Sequence, residues 1–363
     1  MANAKYVIVA NWIKEQIDKG KLRHGQKIQT EAQLSKQFGY SRQTIRQAIS
    51  SLINEGLLES TQGSGTYVRK SKRSDQASRV IGVITTYNTD YIFPRILGGM
   101  EEVLADHEYA MQLAFTHNRV SDERRALELM LQSNVDGFIV EPTRSALPNP
   151  NMDLYHSLID QGYPLLFINA SYQTLPTVHV ALDDRKTGKM IYDYVFERGH
   201  RKIFSFFKYD DIQGHLRYAG ANDASKLHGE QINDDDIYWY STEDFEKGIF
   251  DQRLLERLKN YTAVLCYNDA LAYQLLEFLE KHDMHVPEEL SIVSVDHSDF
   301  IGKSNIEITS VVHPMQKLGS AAAKTMLEMV QKPSYNTSVD FQPRLVEGNS
   351  VKNIQIQIGG QDE

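Results

Sequence analysis

Residues 29–68 read QTEAQLSKQFGYSRQTIRQAISSLINEGLLESTQGSGTYV, and this stretch decides how the N-terminal part of the chain folds. Thr30 with Gln33 three residues on has capping-box spacing, Leu34 and Phe38 share one helical face, and Gly39 supplies a left-handed stop, which predicts a short helix. Tyr40 turns the chain and Ser41 is suited to an N-cap. Ile45, Ala48, Ile49, Leu52 and Ile53 then recur at helical spacing until Gly56, which predicts a second, longer helix. Its aliphatic side is fit for burial. Its first turns present Arg42, Gln43, Arg46 and Gln47, side chains that hydrogen-bond base edges or phosphates from a helix lying in the major groove. Residues 57–61 read as a strand, Gln62 to Gly65 as a tight turn and 66–68 as the return strand. Upstream, Tyr6, Val9, Ala10, Ile13 and Ile17 make one face of a helix over 4–19 that Gly20 ends. Lys5 and Tyr6 stand at its start, where a lysine opposes the helix dipole and is either a phosphate ligand or plainly solvated.

The chain has 363 residues, 41% hydrophobic and 24% charged, which is room for two or three domains of an ordinary globular protein. A formal charge of −9 taken alone argues against nucleic acid, but its distribution does not. Residues 1–79 carry 14 Lys+Arg against 6 Asp+Glu, so the positive excess coincides with the two helices and hairpin. An acidic remainder discourages the rest of the chain from sticking to a duplex. Cys266 is the single cysteine, which excludes an intrachain disulfide and a cysteine-cluster metal site. No apolar run has the length of a signal region or a membrane span, so a cytoplasmic protein without metal or cofactor is expected.

Residues 69–79 are polar and basic and mark a tether. From Val80 the pattern becomes parallel α/β. Buried strands are expected at 80–85, 111–115, 137–140, 164–168, 202–207, 263–267 and 291–295, with helices at 93–106, 122–132, 185–197 and 270–281. So many repeated units imply two sheets with a cleft between them, and ligands of such folds bind where strands end. The residues there are Asp90, Tyr91, Phe93, Glu141, Asn169, Asp183, Arg217, Asn268, Asp269, Asp296 and His313. Singly, each has a structural reading: Asp183, Asp269 and Asp296 as caps, Phe93 and His313 as core. Jointly they suit a sugar, whose hydroxyls take carboxylates, amides and an arginine fork while an aromatic face covers the ring. No phosphate-cradling loop, zinc spacing or nucleophile elbow accompanies them. A sugar-processing enzyme with Glu141 and Asp269 as paired carboxylates is the competing reading, and a scaffold binding DNA and another protein a third.

Glu31, Ser41, Arg42, Thr44, Arg46, Gly63, Gly65 and Thr66 reproduce the signature of the GntR family, and residues 29–68 resemble its winged helix-turn-helix. That resemblance implies that Glu31 belongs to the DNA-binding set, with contacts to bases or phosphates by Ser41, Arg42, Gln43, Thr44 and Arg46, and Gln62 and Gly63 at a wing tip in the minor groove. Residues 80–351 resemble the LacI/GalR effector domain, itself similar to periplasmic sugar-binding proteins. The supporting motifs are Asp90-Tyr-Ile-Phe93, Val135-Asp-Gly-Phe-Ile139, Gly199-His-Arg-Lys202, Arg217-Tyr-Ala-Gly220, Tyr267-Asn-Asp269 and Thr309-Ser-Val-Val-His-Pro314. Ala170 departs from an arginine common in that family, and no small-residue hinge helix precedes Val80. The pairing of the two resembles the bacterial arabinose repressor family, through Val83 to Tyr87, Asp90 to Pro94, Val140 to Leu147 and Ile168 to Tyr172. The expectation is therefore an α/β protein with a winged helix-turn-helix head at 1–68, a linker at 69–79 and a two-lobed sugar-binding and dimerisation domain at 80–363. It implies a homodimeric repressor that binds double-stranded operator DNA and is released by L-arabinose.

Overall fold

The computed structural model describes residues 5–18, 21–22, 25–54, 57–61, 63–68, 77–87, 91–175, 177–298, 305–332 and 335–355. Gly20, Gly56 and most of the expected tether lie outside them. The chain divides into two compact units, Met1–Ser78 with Tyr155–Tyr163, and Arg79–Leu154 with Pro164–Glu363.

The first 68 residues fold as α1 (Lys5–Asp18), α2 (Glu31–Phe38), α3 (Arg42–Asn54) and the antiparallel hairpin β1 (Leu58–Thr61) and β2 (Gly65–Val68). The capping signals act as read. Thr30 Oγ1 accepts from the Gln33 amide at 3.3 Å, the Gln33 side chain accepts from the Thr30 amide at 2.8 Å, and Gly39 takes φ 69° at the helix end. The Ser41 hydroxyl accepts from the Thr44 amide at 3.2 Å and so starts α3. Val9, Ala10 and Ile13 of α1 meet Leu34 of α2, and Ile45, Ala48, Ile49 and Leu52 of α3, over Leu58 and Val68 of the hairpin. Burial of these aliphatic groups, each stabilising by roughly 1.5–3 kcal/mol, fixes three short helices that would be marginal alone.

The body begins with β3 (Val80–Thr85), α4 (Phe93–Asp106), β4 (Ala110–Phe115), α5 (Val120–Gln132), β5 (Gly137–Val140), α6 (Met152–Asp160), β6 (Leu165–Ile168) and β7 (Val178–Leu182). It continues through α7 (Asp184–Glu197), β8 (Ile203–Lys208), α8 (Ile212–Leu227), β9 (Ile237–Tyr240), α9 (Thr242–Lys247), α10 (Gln252–Leu258), β10 (Ala263–Leu265), α11 (Asp269–Glu280), β11 (Ser291–Asp296) and β12 (Thr309–Val312). It closes with α12 (Met315–Gln331), β13 (Val339–Phe341) and β14 (Leu345–Val346). Two six-stranded sheets result, ordered β13-β7-β6-β5-β3-β4 and β14-β12-β11-β10-β8-β9. Every pairing in them is parallel except that of β12 with β14.

This order locates the hinge. The chain passes from the first lobe to the second after β7, returns after β12 to place α12 on the first lobe, and crosses again between β13 and β14. All three crossings leave from the same end of the two sheets. Within each lobe two helices approach closely through glycine. A Cβ on Gly188 or Gly220 would strike the backbone of the facing helix in the α7/α8 pair, as would one on Gly99 or Gly319 in the α4/α12 pair. Gly99 and the Gly220 of the Arg217–Gly220 motif thus serve packing. One strand expectation needs correction: 111–115, read as buried, forms the edge strand β4 with Leu113 exposed, because its outer side has no neighbouring strand.

Candidate functional site

On the head, packing sorts α3 into two faces. Ile45, Ala48, Ile49 and Leu52 are buried, so Ser41, Arg42, Gln43, Arg46 and Gln47 are exposed together and Thr44 is half-buried. Arg46 is not free. Its Nε and Nη2 donate to the two carboxylate oxygens of Glu31 at 3.0 and 2.8 Å, a fork that pushes the Glu31 pKa below the ordinary carboxylate range. Glu31, assigned to DNA by resemblance, therefore faces Arg46, a placement that suits orienting the guanidinium. Tyr6 is half-buried against the head core, while Lys5 is exposed, its amine 5.6 Å from the Tyr40 ring centre. Gly63 is exposed at the hairpin tip with φ 77°; Gln62 lies outside the described residues. Lys27, which the sequence did not single out, braces this turn by donating from Nζ to the Ser64 carbonyl.

In the body, a cavity of about 120 Å³ lies between the lobes, lined by Tyr87, Tyr91, Phe93, Asn118, Glu141, Asn169, Lys208, Asp211, Gln213, Arg217, Tyr267, Asn268 and Asp296 among others. Seven of the eleven residues expected to suit a sugar meet there: Tyr91, Phe93, Glu141, Asn169, Arg217, Asn268 and Asp296. Asp90 lies outside the described residues.

The polar groups of this cavity are held before any ligand is considered. Arg217, buried in the second lobe, donates from Nε to Asp184 at 2.8 Å and from Nη1 to the Tyr267 carbonyl, and stacks over the Tyr267 ring. Burial pushes Asp184 up to about 6 although Arg217 draws it down. Glu141 accepts from the Thr86 amide and the Asn169 side-chain amide, each at 2.8 Å; burial still raises its pKa. Asn169 adopts φ 62° and its Oδ1 faces His313 Nε2 at 3.2 Å. Burial lowers His313 to about 4, so the ring is neutral, Nε2 carries the proton, and the buried Nδ1 is an acceptor without a partner among the described residues. The Tyr91 hydroxyl donates to Asp296 and accepts from the Asp269 amide at 3.1 Å, joining the two lobes. Asp296 holds φ 107°, a conformation costly for a non-glycine residue and usually found where structure serves a site.

Three expected residues are corrected: His313 does not line the cavity and reaches it only through its bond to Asn169. Asp183 caps α7, accepting from the Lys186 amide at 3.0 Å and pairing with Lys186 Nζ; it does not line the cavity. Asp269 is spent inside the second lobe, accepting from the Ser298 amide at 2.7 Å and from the Ser298 and Ser310 hydroxyls. The neighbouring Asn268 caps α11 and lines the cavity instead. Lys208, Asp211, Gln213 and Tyr267 were missed. Lys208 donates to Asp211 at 2.6 Å; burial lowers its pKa, but Asp211 and Asp210 more than reverse this, so the amine stays charged. A signal existed for Lys208, since it ends an apolar run in the way that drew attention to Glu141 and Asn169. A larger, open groove of about 630 Å³ runs along α7, but its Lys186 and Lys189 are bonded to neighbouring side chains. Among the described residues no helix is long and apolar enough to cross a membrane, and no group of three or more His, Cys, Asp or Glu could hold a metal ion.

Residues 5–68 match the family pattern of bacterial regulatory proteins of the gntR family, and residues 192–351 that of a periplasmic binding protein-like domain. A reading head joined to a two-lobed body defines a DNA-binding transcriptional regulator. Two curated relatives, from Halalkalibacterium halodurans and Geobacillus stearothermophilus, are each named arabinose metabolism transcriptional repressor. They are 36% and 37% identical over 98% and 96% of this chain and 98% of theirs. The chain belongs to the arabinose metabolism transcriptional repressor family, and it is a repressor, not an enzyme. Among solved structures it is similar in fold to a CelR–cellobiose complex (18% identity, TM-score 0.68, covering 85% of this chain and 90% of that one). It is likewise similar to a LacI-family regulator from Enterococcus faecium with bound ribose (24%, TM-score 0.65, 76% and 99%).

Proposed function

We propose that the protein binds operator DNA as a homodimer through α3 and the hairpin tip, and is released when L-arabinose occupies the interlobe cavity. In this reading residues 1–68 are the DNA-binding domain, 69–79 the linker, and 80–363 the effector and dimerisation domain. The observation that carries it is the cavity, where Arg217 and Asp296 of one lobe face Glu141 and Asn169 of the other in a chain that also carries the exposed Arg42 and Arg46. Donors and acceptors set on both lobes are what a polyol needs, and Phe93 with Tyr87, 6.1 Å apart edge to face, gives the apolar side. A cavity of about 120 Å³ is on the scale of one ring, since about 150 Å³ admits benzene. That, with relatives named for arabinose metabolism, favours a monosaccharide. One recognition helix reads too few base pairs to locate an operator in a genome, so two heads are needed.

The sugar shifts the lobes only by its differential affinity for their two arrangements, and those arrangements set how two heads are presented to the operator. The experiment is a gel-shift titration of operator DNA against a panel of pentoses and hexoses. Release by L-arabinose at concentrations where the other sugars do nothing is the expected result; release by another sugar alone, or by none, overturns it.

A further inference from the structure

Besides the bonds among the cavity's own polar groups, a second set of bonds crosses between the lobes, and of its members only Asn118 also lines the cavity. Asn118 Nδ2, on the loop after β4, donates to Asp210 Oδ2 at 3.1 Å and to Thr242 Oγ1 at 2.5 Å, both in the second lobe. The Ala146 amide donates to the Asp210 carbonyl at 3.2 Å, and the Ile212 amide to Ser145 Oγ at 2.9 Å. The Arg144 guanidinium pairs with Glu243 while its own amide and Nε hold Asn118 Oδ1 and O, each at 3.0 Å. Behind this loop, the buried Glu123 carboxylate accepts from the Thr143 amide, Asn149, Asn151 and the Tyr172 hydroxyl, which fixes where residues 143–151 stand.

The sheet orders say where these bonds lie. They come from loops that follow β4 and β5 in one lobe and β8 and β9 in the other, whereas the three crossings leave from β7, β12 and β13. The hinge is therefore at one edge of the paired sheets and the polar contacts are at the other, with the cavity between. Any opening about the hinge must first separate the Asn118, Arg144 and Ser145 side from the Asp210, Ile212 and Glu243 side.

We infer that this strip is a clasp, and that Arg144 and Glu243, which do not line the cavity, are positioning residues that set how readily the cleft opens. The inference rests on the cleft being the effector site. A clasp adds a fixed increment to lobe closure, so weakening it lowers ligand affinity through faster ligand escape and raises the sugar needed for release.

The Ala146 and Ile212 amides each donate across the cleft, so their hydrogen exchange in the full-length protein reports opening with or without sugar. Glu243→Lys places like charges together and is expected to speed exchange at both amides by roughly 3-fold to 10-fold, with β10 unchanged. The swap Arg144→Glu with Glu243→Lys is expected to return most of the protection. Unchanged exchange in Glu243→Lys, equal acceleration through β10, or no recovery in the swap overturns the clasp. Adding L-arabinose to the wild type is expected to slow both amides. A clasp that responds to the mutations while L-arabinose has no effect would count against the sugar assignment and leave the clasp standing.

Discussion

The head and the body both gather polar side chains for recognition, yet they hold them in opposite ways. On α3, Arg42, Gln43 and Arg46 lie on a convex exposed face, and the fork from Arg46 to Glu31 is paired at the surface. In the cleft, Arg217, Asn169, Asp296 and His313 are buried, and each is bonded to the protein itself. A surface fork opens to water at little cost, so the head can exchange Glu31 for a phosphate or a base. A buried network cannot lose a member without leaving a polar group unsatisfied. Mutations should therefore affect binding alone in the head, and binding together with stability in the body.

The largest effect is expected at Arg217. Arg217→Ala strands the buried Asp184 carboxylate and should destabilise the body by about 3–5 kcal/mol in chemical denaturation, besides abolishing the sugar response. Arg217→Ala with Asp184→Ala should recover part of the stability and none of the response. A single variant as stable as wild type would show that the cleft behaves like the head.

Next is His313, whose folded-state pKa of about 4 lies below its ordinary 6.5. Above pH 6.5 neither state is protonated and its contribution is full; as pH falls towards 4 the unfolded state takes up the proton first and the contribution is lost. Relative to His313→Gln, the wild type should lose on the order of 2–3 kcal/mol between pH 7 and 4. The comparison with the variant is needed because Asp184 and Asp269, both pushed up to about 6, contribute in the opposite direction over the same range. Parallel pH profiles for wild type and variant would contradict the buried neutral ring.

In the head, Arg46→Ala should weaken operator binding roughly tenfold to a hundredfold while leaving sugar affinity and thermal stability as they were. Glu31→Gln is the smallest: the fork is lost, the head stays folded, and operator affinity changes by a few fold at most. A large loss of head stability in either variant would erase the contrast between the two regions.

This contrast also explains what could be read in the sequence. The head is specified locally: Thr30, Gln33, Gly39 and Ser41 act within four residues of their partners, so both helices and the hairpin were legible. In the body, strands of strongly apolar run such as Val80–Thr85 and Gly137–Val140 were found at their true bounds. β7, β9 and the late strands β12 to β14 were not, nor was α8. That helix sets Gly214 and Gly220 against close backbone, buries Ala221, and so lacks a plain aliphatic stripe. The cleft was half legible because its partners are distant in sequence. Asp183 and Asp184 are adjacent carboxylates, and only the fold decides that the first caps α7 while the second holds Arg217, 33 residues away. Asp269 failed for the same reason, its oxygens being claimed by Ser298 and Ser310.

The claim that joins the two regions is that sugar in the body weakens DNA at the head, and binding free energies make such coupling reciprocal. The direct test is calorimetric titration of L-arabinose into the full-length protein, free and saturated with operator. The account predicts weaker sugar binding to the operator complex, by the same factor, about 5-fold to 150-fold, by which the sugar weakens operator binding. Equal sugar affinities for the free and DNA-bound protein would contradict it.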